Sequence, residues 1–139
     1  MDEELFERSR TVVPVAADPD VVVARGCARR LALRAGFAVP AAEAIATAVT
    51  EVARNIVVHA KSGEVVLDFV SEACRGELVV VARDTGPGIA DPALALKDGY
   101  STVNGLGLGL SSAHRLMDAF EIQSAVGQGT TIIMRKRAP

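Results

Sequence analysis

Two helix-period segments lie back to back between residues 18 and 59, and around them the chain carries β-branched runs that mostly come in adjacent pairs. Asp18 can cap the first helix, Pro19 suits its first turn, and Val23, Cys27, Leu31 and Ala35 recur at helical spacing before Gly36 offers a stop. The second opens at Pro40 and holds Ile45, Ala48, Val49, Val52 and Ile56 on one stripe until about His59. Thr11 to Ala16 reads as a short strand ahead of both. Its Pro14 belongs at a sheet edge or strand end, because proline has no N–H for the ladder. Glu64 to Val70 and Glu77 to Arg83 form a hairpin through the turn-prone Cys74-Arg75-Gly76. A third helical pattern runs from about Leu108 to Phe120, with Leu110, Ala113, Leu116, Met117 and Phe120 on one face. Glu121 to Val126 and Thr130 to Arg135 close a last hairpin around Gly127-Gln128-Gly129. The order β-α-α-β-β-α-β-β favours an α+β fold, a two-layer α/β sandwich in which one mixed sheet is covered on one face by helices.

With 139 residues, half of them apolar, the chain is expected to be a single domain spanning 1–139 with one sizeable core. Met1 to Arg10 and Arg135 to Pro139 are the expected unpacked ends. A net charge of −2 without a long one-sign run names no nucleic acid or membrane partner. The absence of tryptophan and the single tyrosine, Tyr100, also leave no stacking platform for single strands. Cys27 and Cys74 form no C-x-x-C pair or histidine cluster, and read as reduced thiols. The acidic N-terminus is not a secretory leader, and no apolar run reaches spanning length, so a cytoplasmic location is expected.

Chemistry-bearing residues fall into four groups. On the second helix Glu51 and Asn55 stand four apart, so one face carries a carboxylate able to take a proton from a hydroxyl or water and an amide oxygen able to complete a magnesium shell. His59 follows one turn later, either near a phosphate or as an ordinary satisfied histidine. Asp84-Thr85-Gly86-Pro87-Gly88 ends a strand. Its aspartate can accept from an exocyclic amine while Gly86 and Gly88 let backbone approach a flat base, although the run also reads as a tight turn. Gly105-Leu106-Gly107-Leu108-Gly109 precedes the third helix, where free N–H groups and the helix dipole attract phosphate. The last group is Gly127-Gln128-Gly129-Thr130.

Taken together and in this order, the four groups resemble the GHKL superfamily of ATP-binding domains with the Bergerat fold, over about residues 45–130. The resemblance implies ATP and Mg²⁺ as cofactors. Glu51 becomes the general base and Asn55 the magnesium ligand. Asp84 becomes the acceptor for the adenine amino group, supported by Thr130, with Gly86 and Gly88 lining the base pocket and Gly105, Gly107 and Gly109 cradling the phosphates. Ile89 to Asn104 corresponds to a short ATP lid, whose Lys97, Ser101 and Thr102 either touch nucleotide or belong to a solvated loop.

Histidine kinases, gyrase-like enzymes and chaperones of the superfamily use further domains for which this chain leaves no room. Thr50 to Ile56, Asp98 to Thr102, Gly107 to Leu110 and Arg115 to Ile122 are instead similar to the stressosome switch serine/threonine kinases. That likeness implies phosphorylation of STAS-domain scaffold and antagonist proteins, and activation of a PP2C-type phosphatase on release from them. Two rival readings stand beside it: an anti-sigma factor kinase that sequesters a sigma factor, and a binding module in which nucleotide shapes a docking surface without phosphoryl transfer. Members of the superfamily often dimerise, and a homodimer is compatible with this sequence.

Overall fold

The computed structural model of the chain describes residues 8–72, 75–88 and 110–139. Its elements are β1 (Arg8–Val15), α1 (Asp18–Arg34), α2 (Val39–His59), β2 (Gly63–Glu72), β3 (Arg75–Asp84), α3 (Leu110–Leu116), β4 (Ala119–Ser124) and β5 (Thr130–Arg137). The strands make one five-stranded sheet in the order β1-β2-β3-β5-β4. Helices lie on one face of it, as an α+β sandwich requires.

The sheet is not mixed. Every pairing is antiparallel, β1 with β2, β2 with β3, β3 with β5 and β4 with β5. Both β3 and β4 run antiparallel to β5, so they share a direction, but β5 folds back between them and separates the parallel pair. β1 and β3 are separated by β2 in the same way.

Alternation along the strands assigns the two faces. Val13, Val15, Val65, Leu67, Leu78, Val80, Ala82, Ile132 and Met134 are buried and join Ala24, Ala28, Leu31, Ile45, Val49, Val52 and Ile56 of the helices in one core. Fully burying a Val, Leu or Ile is worth about 1.5–3 kcal/mol apiece, so this layer carries most of the folding drive. Between α1 and α2 many contact residues are alanines, which let the two backbones approach closely. Arg29 of α1 also bonds Glu43 of α2, and that bond holds the Glu43 carboxyl below its ordinary range. On the opposite face Val12, Val66, Val81 and Ile133 stand side by side across four strands.

Several boundaries differ from the sequence expectation. α1 buries Val21, Ala24, Ala28, Leu31 and Ala32, while Val23 is about half exposed. The small alanines, which hydropathy underrates, face α2 instead. Ala17 rather than Asp18 holds the N-cap position, and Asp20 reaches back to accept from the N–H groups of Ala16 and Ala17. Gly36 ends the helix as expected, at φ +96°. Phe120 lies in β4, not in α3, and the closing hairpin begins at Ala119. Arg8 to Arg10 and Arg135 to Arg137, expected to be unpacked, belong to β1 and β5, where backbone pairing holds them whatever their side chains prefer. Pro14 sits on edge strand β1. Cys27 is a free thiol and Cys74 lies outside the described residues.

Candidate functional site

α2 begins with proline in its first turn and keeps an apolar stripe for 21 residues, so its polar side chains are displayed at fixed angles along one edge. Glu51, Asn55 and His59 occupy successive turns of that edge. Asn55 is only 3 % exposed, and among the described residues no donor reaches its Oδ1. A buried carbonyl oxygen left in this state costs about 1–3 kcal/mol. Glu51, half-buried one turn earlier, carries no ion pair or hydrogen bond to any described residue. A carboxylate with unused lone pairs therefore stands next to an amide oxygen without a donor.

The second part of the site forms where β3 ends. Asp84 Oδ1 accepts from the Gly86 N–H at 2.9 Å and from the Thr130 N–H at 3.2 Å. Both bonds fall on one oxygen, and among the described residues no donor reaches Oδ2. Thr130 lies directly opposite Asp84 in the β3–β5 ladder and is 5 % exposed. Its hydroxyl is 2.8 Å from that of Ser124, which in turn donates to the Gly129 carbonyl at 3.0 Å.

Glycines lock these segments together. A Cβ on Gly86 would meet Ala60 Cα at 2.7 Å, so the turn after Asp84 rests on the residue that caps α2. Gly63 has Ile56 of α2 and Asp84 itself within 3.0 Å of such a Cβ. Gly88, at φ +81°, packs on the Ala125 carbonyl, and Gly129, at φ +80°, packs on the Asp84 carbonyl. Gly127 N–H donates to Pro87 at 2.7 Å across the same junction. The C-terminal end of α2, the Asp84 turn and the β4–β5 turn thus hold each other in register. A cavity of about 390 Å³ opens at this end of the sheet, where Glu64, Arg83 and Thr131 line it from the face away from the helices beside Asp84 and Thr85, and neither Glu51 nor Asn55 lines it.

Residues 15–136 match the family model described as the histidine kinase-like ATPase domain. The chain belongs to that family. Among curated proteins it is similar to the serine/threonine-protein kinase RsbT of Bacillus subtilis, 38 % identical over 123 residues that cover 88 % of this chain and 92 % of that protein. It is also similar to the anti-sigma F factor of Clostridium perfringens, 31 % identical over 98 residues that cover 67 % of this chain and 70 % of the relative. For the anti-sigma F factor of Clostridium kluyveri the figures are 27 % over 96 residues, 66 % and 68 %.

Within this ATPase domain, Glu51 and Asn55 share one edge of α2, and the last turn of that helix is packed against the loop that holds Asp84, Gly86 and Gly88. Thr130 joins Asp84 through backbone. Gly86 and Gly88 have a packing reason to be glycine, beside the tight turn and the ligand approach that the sequence suggests. Gly105, Gly107 and Gly109 lie outside the described residues, as do Ile89 to Asn104 with Lys97, Ser101 and Thr102. Sequence reasoning missed Gly63 and Ser124. Gly63 is met by the last residues of β3 across the hairpin, a neighbour that no local pattern names. Ser124 could have been found as a hydroxyl of β4 lying across the closing turn from Thr130.

Magnesium fits the donor set. Among the described residues no cluster of three His, Cys, Asp or Glu side chains stands ready for a metal. An ion held here would take the hard amide oxygen of Asn55 and fill its shell with phosphate oxygens and water, a common arrangement for magnesium in phosphoryl-transfer sites. Among the described residues no helix is long and apolar enough to cross a membrane.

Proposed function

We propose that the chain is a serine/threonine protein kinase that uses ATP and Mg²⁺ to phosphorylate a partner protein in a partner-switching pathway. The observation that carries this reading is the edge of α2, where the donorless Oδ1 of Asn55 and the unpaired carboxylate of Glu51 share one face of the helix whose C-terminal end packs on the Asp84 turn. The extent of the likeness to RsbT supports it further, covering 88 % of the chain where the anti-sigma factors cover about two thirds.

In this mechanism Asp84 Oδ2 accepts from the adenine amino group, with Thr130 beside it, and Gly86 and Gly88 border the base. Gly105, Gly107 and Gly109 offer N–H groups to the phosphates. Asn55 Oδ1 would hold a magnesium ion, which would supply neutralisation of the charge on the phosphate oxygens. The partner's hydroxyl oxygen forms a bond to the γ-phosphorus as the bond to the leaving ADP oxygen breaks, and Glu51 takes the hydroxyl proton. Water entering in place of the hydroxyl produces slow ATP hydrolysis. The partner chemistry proposed is a STAS-domain scaffold or antagonist with an exposed serine or threonine, with a PP2C-type phosphatase activated on release. Sequestration of a sigma factor is the second reading, favoured by the anti-sigma F likenesses.

Calorimetry with and without Mg²⁺ tests the nucleotide site, where Asp84→Asn is expected to lose the binding that wild type has. Glu51→Ala is then expected to keep ATP binding and lose about 10²–10⁴-fold in phosphotransfer to a STAS-domain protein. Unchanged phosphotransfer in Glu51→Ala would remove Glu51 as the base. No binding at millimolar ATP would reduce the chain to an interaction module of this fold.

A further inference from the structure

β4 and β5 set Ser124 directly opposite Thr130, and β5 sets Thr130 opposite Asp84, so the three side chains form a row on the helix-covered face. Ser124 Oγ lies 3.0 Å from the Gly129 carbonyl oxygen and 2.8 Å from Thr130 Oγ1. A carbonyl oxygen only accepts, and a serine has one hydroxyl proton to give. That proton goes to Gly129. The 2.8 Å contact is then filled by the Thr130 proton, and the chain of donors runs from Thr130 through Ser124 to Gly129.

Two consequences follow for a base seated at Asp84. Thr130 Oγ1 has already donated its proton and retains only lone pairs. Asp84, with Oδ1 occupied by two backbone N–H groups, likewise presents an acceptor through Oδ2. The row therefore offers acceptors and no donor to the group on the base. A 6-amino purine turns an N–H toward these acceptors, whereas a 6-oxo purine turns the lone pairs of its 6-oxygen toward them and carries its donor on this edge at N1 instead.

We propose that Ser124 is a positioning residue for base choice, which by taking the Thr130 proton makes the pocket reject 6-oxo purine nucleotides. The inference rests on the nucleotide site proposed above. Without Ser124 the Thr130 hydroxyl turns and donates to a 6-oxo group, so discrimination falls even though Asp84 remains.

ATP and inosine triphosphate differ only on this edge of the base, by the 6-substituent and by the proton on N1, and are the probes. With Mg²⁺ present, wild type is expected to prefer ATP. Ser124→Ala is expected to lower the ratio of ATP to inosine triphosphate affinity by about three- to tenfold, the span of one neutral hydrogen bond. Ser124→Thr, which keeps a hydroxyl, is expected to restore the ratio. Thr130→Val removes the same acceptor from the other side and is expected to lower the ratio similarly, with little further loss in the double variant. A Ser124 that merely props the hairpin would weaken both nucleotides equally and leave the ratio unchanged, which overturns the proposal. A ratio lost equally in Ser124→Ala and Ser124→Thr overturns it too. Wild type that binds neither nucleotide removes the nucleotide site itself, and this inference with it.

Discussion

Replacing Asn55 by leucine separates what α2 needs to fold from what the site needs to bind. Leucine keeps the branching of asparagine and exchanges the donorless Oδ1 and its amide nitrogen for methyl groups. Relieving a buried carbonyl that lacks a donor returns about 1–3 kcal/mol. Leucine's helix propensity adds a few tenths of a kcal/mol, and the bulk of the methyls at a position 3 % exposed takes back about 1 kcal/mol. The net expectation is a ligand-free protein more stable by about 1–2 kcal/mol, which raises Tm by about 4–8 °C for a chain of this size. Adding Mg-ATP at a hundred times its Kd should stabilise wild type by about 2.7 kcal/mol and leave Asn55→Leu almost unmoved. Thermal scanning with and without Mg-ATP reads both effects at once, and the two curves should exchange order. A ligand-free Asn55→Leu that melts well below wild type would refute the reasoning, because Oδ1 would then have been satisfied within the fold.

Two further expectations concern the frame around the site. Gly129→Ala should cost about 2–4 kcal/mol, since φ +80° strains an L side chain and its Cβ would meet Thr85 Cα at 2.9 Å. Gly127→Ala, at φ +79° with open space around it, should cost about 1 kcal/mol by urea denaturation. Equal losses would show that the contact with the Asp84 turn contributes nothing. Asp118 accepts from the Arg137 backbone N–H at 2.7 Å with Lys136 nearby, and its carboxyl is held below the ordinary range. A lowered folded pKa stabilises the fold above pH about 4 and ceases to do so as pH falls through that lowered value. Asp118→Asn should therefore lose about 0.5 kcal/mol at pH 7, and its stability should converge on that of wild type in acid. Curves that stay parallel across the range would rule this out.

Periodicity made much of the fold legible. The 3.6-residue stripe of α2 runs from Ile45 to Ile56 without interruption, so its length and the shared edge of Glu51 and Asn55 follow from spacing alone. β-Branched runs bounded by turn residues located the five described strands to within a few residues, and Gly36 marked the end of α1. The failures came where two periods meet or where small residues do the packing. Phe120 continues the helical stripe of α3 and also begins the alternation of β4, and only its pairing with Met134 decides between them. The alanines of α1 look weakly hydrophobic one by one, yet become the buried face because α2 needs close backbone approach. At the site, residue types and order carried the family resemblance, and the family match over residues 15–136 agrees with it.

Chain-local chemistry thus determined which residues could bind nucleotide and which helix would carry them. Tertiary structure decided that Asn55 is buried with no donor to its Oδ1 among the described residues, that one oxygen of Asp84 is taken by backbone, that β5 separates β3 from β4, and that the Ser124 and Thr130 hydroxyls meet at 2.8 Å. These depend on pairings between elements, from the tight hairpin that joins Ser124 to Thr130 to the 46-residue separation of Asp84 and Thr130, where the partner of a hydrogen bond is set by sheet register and helix packing.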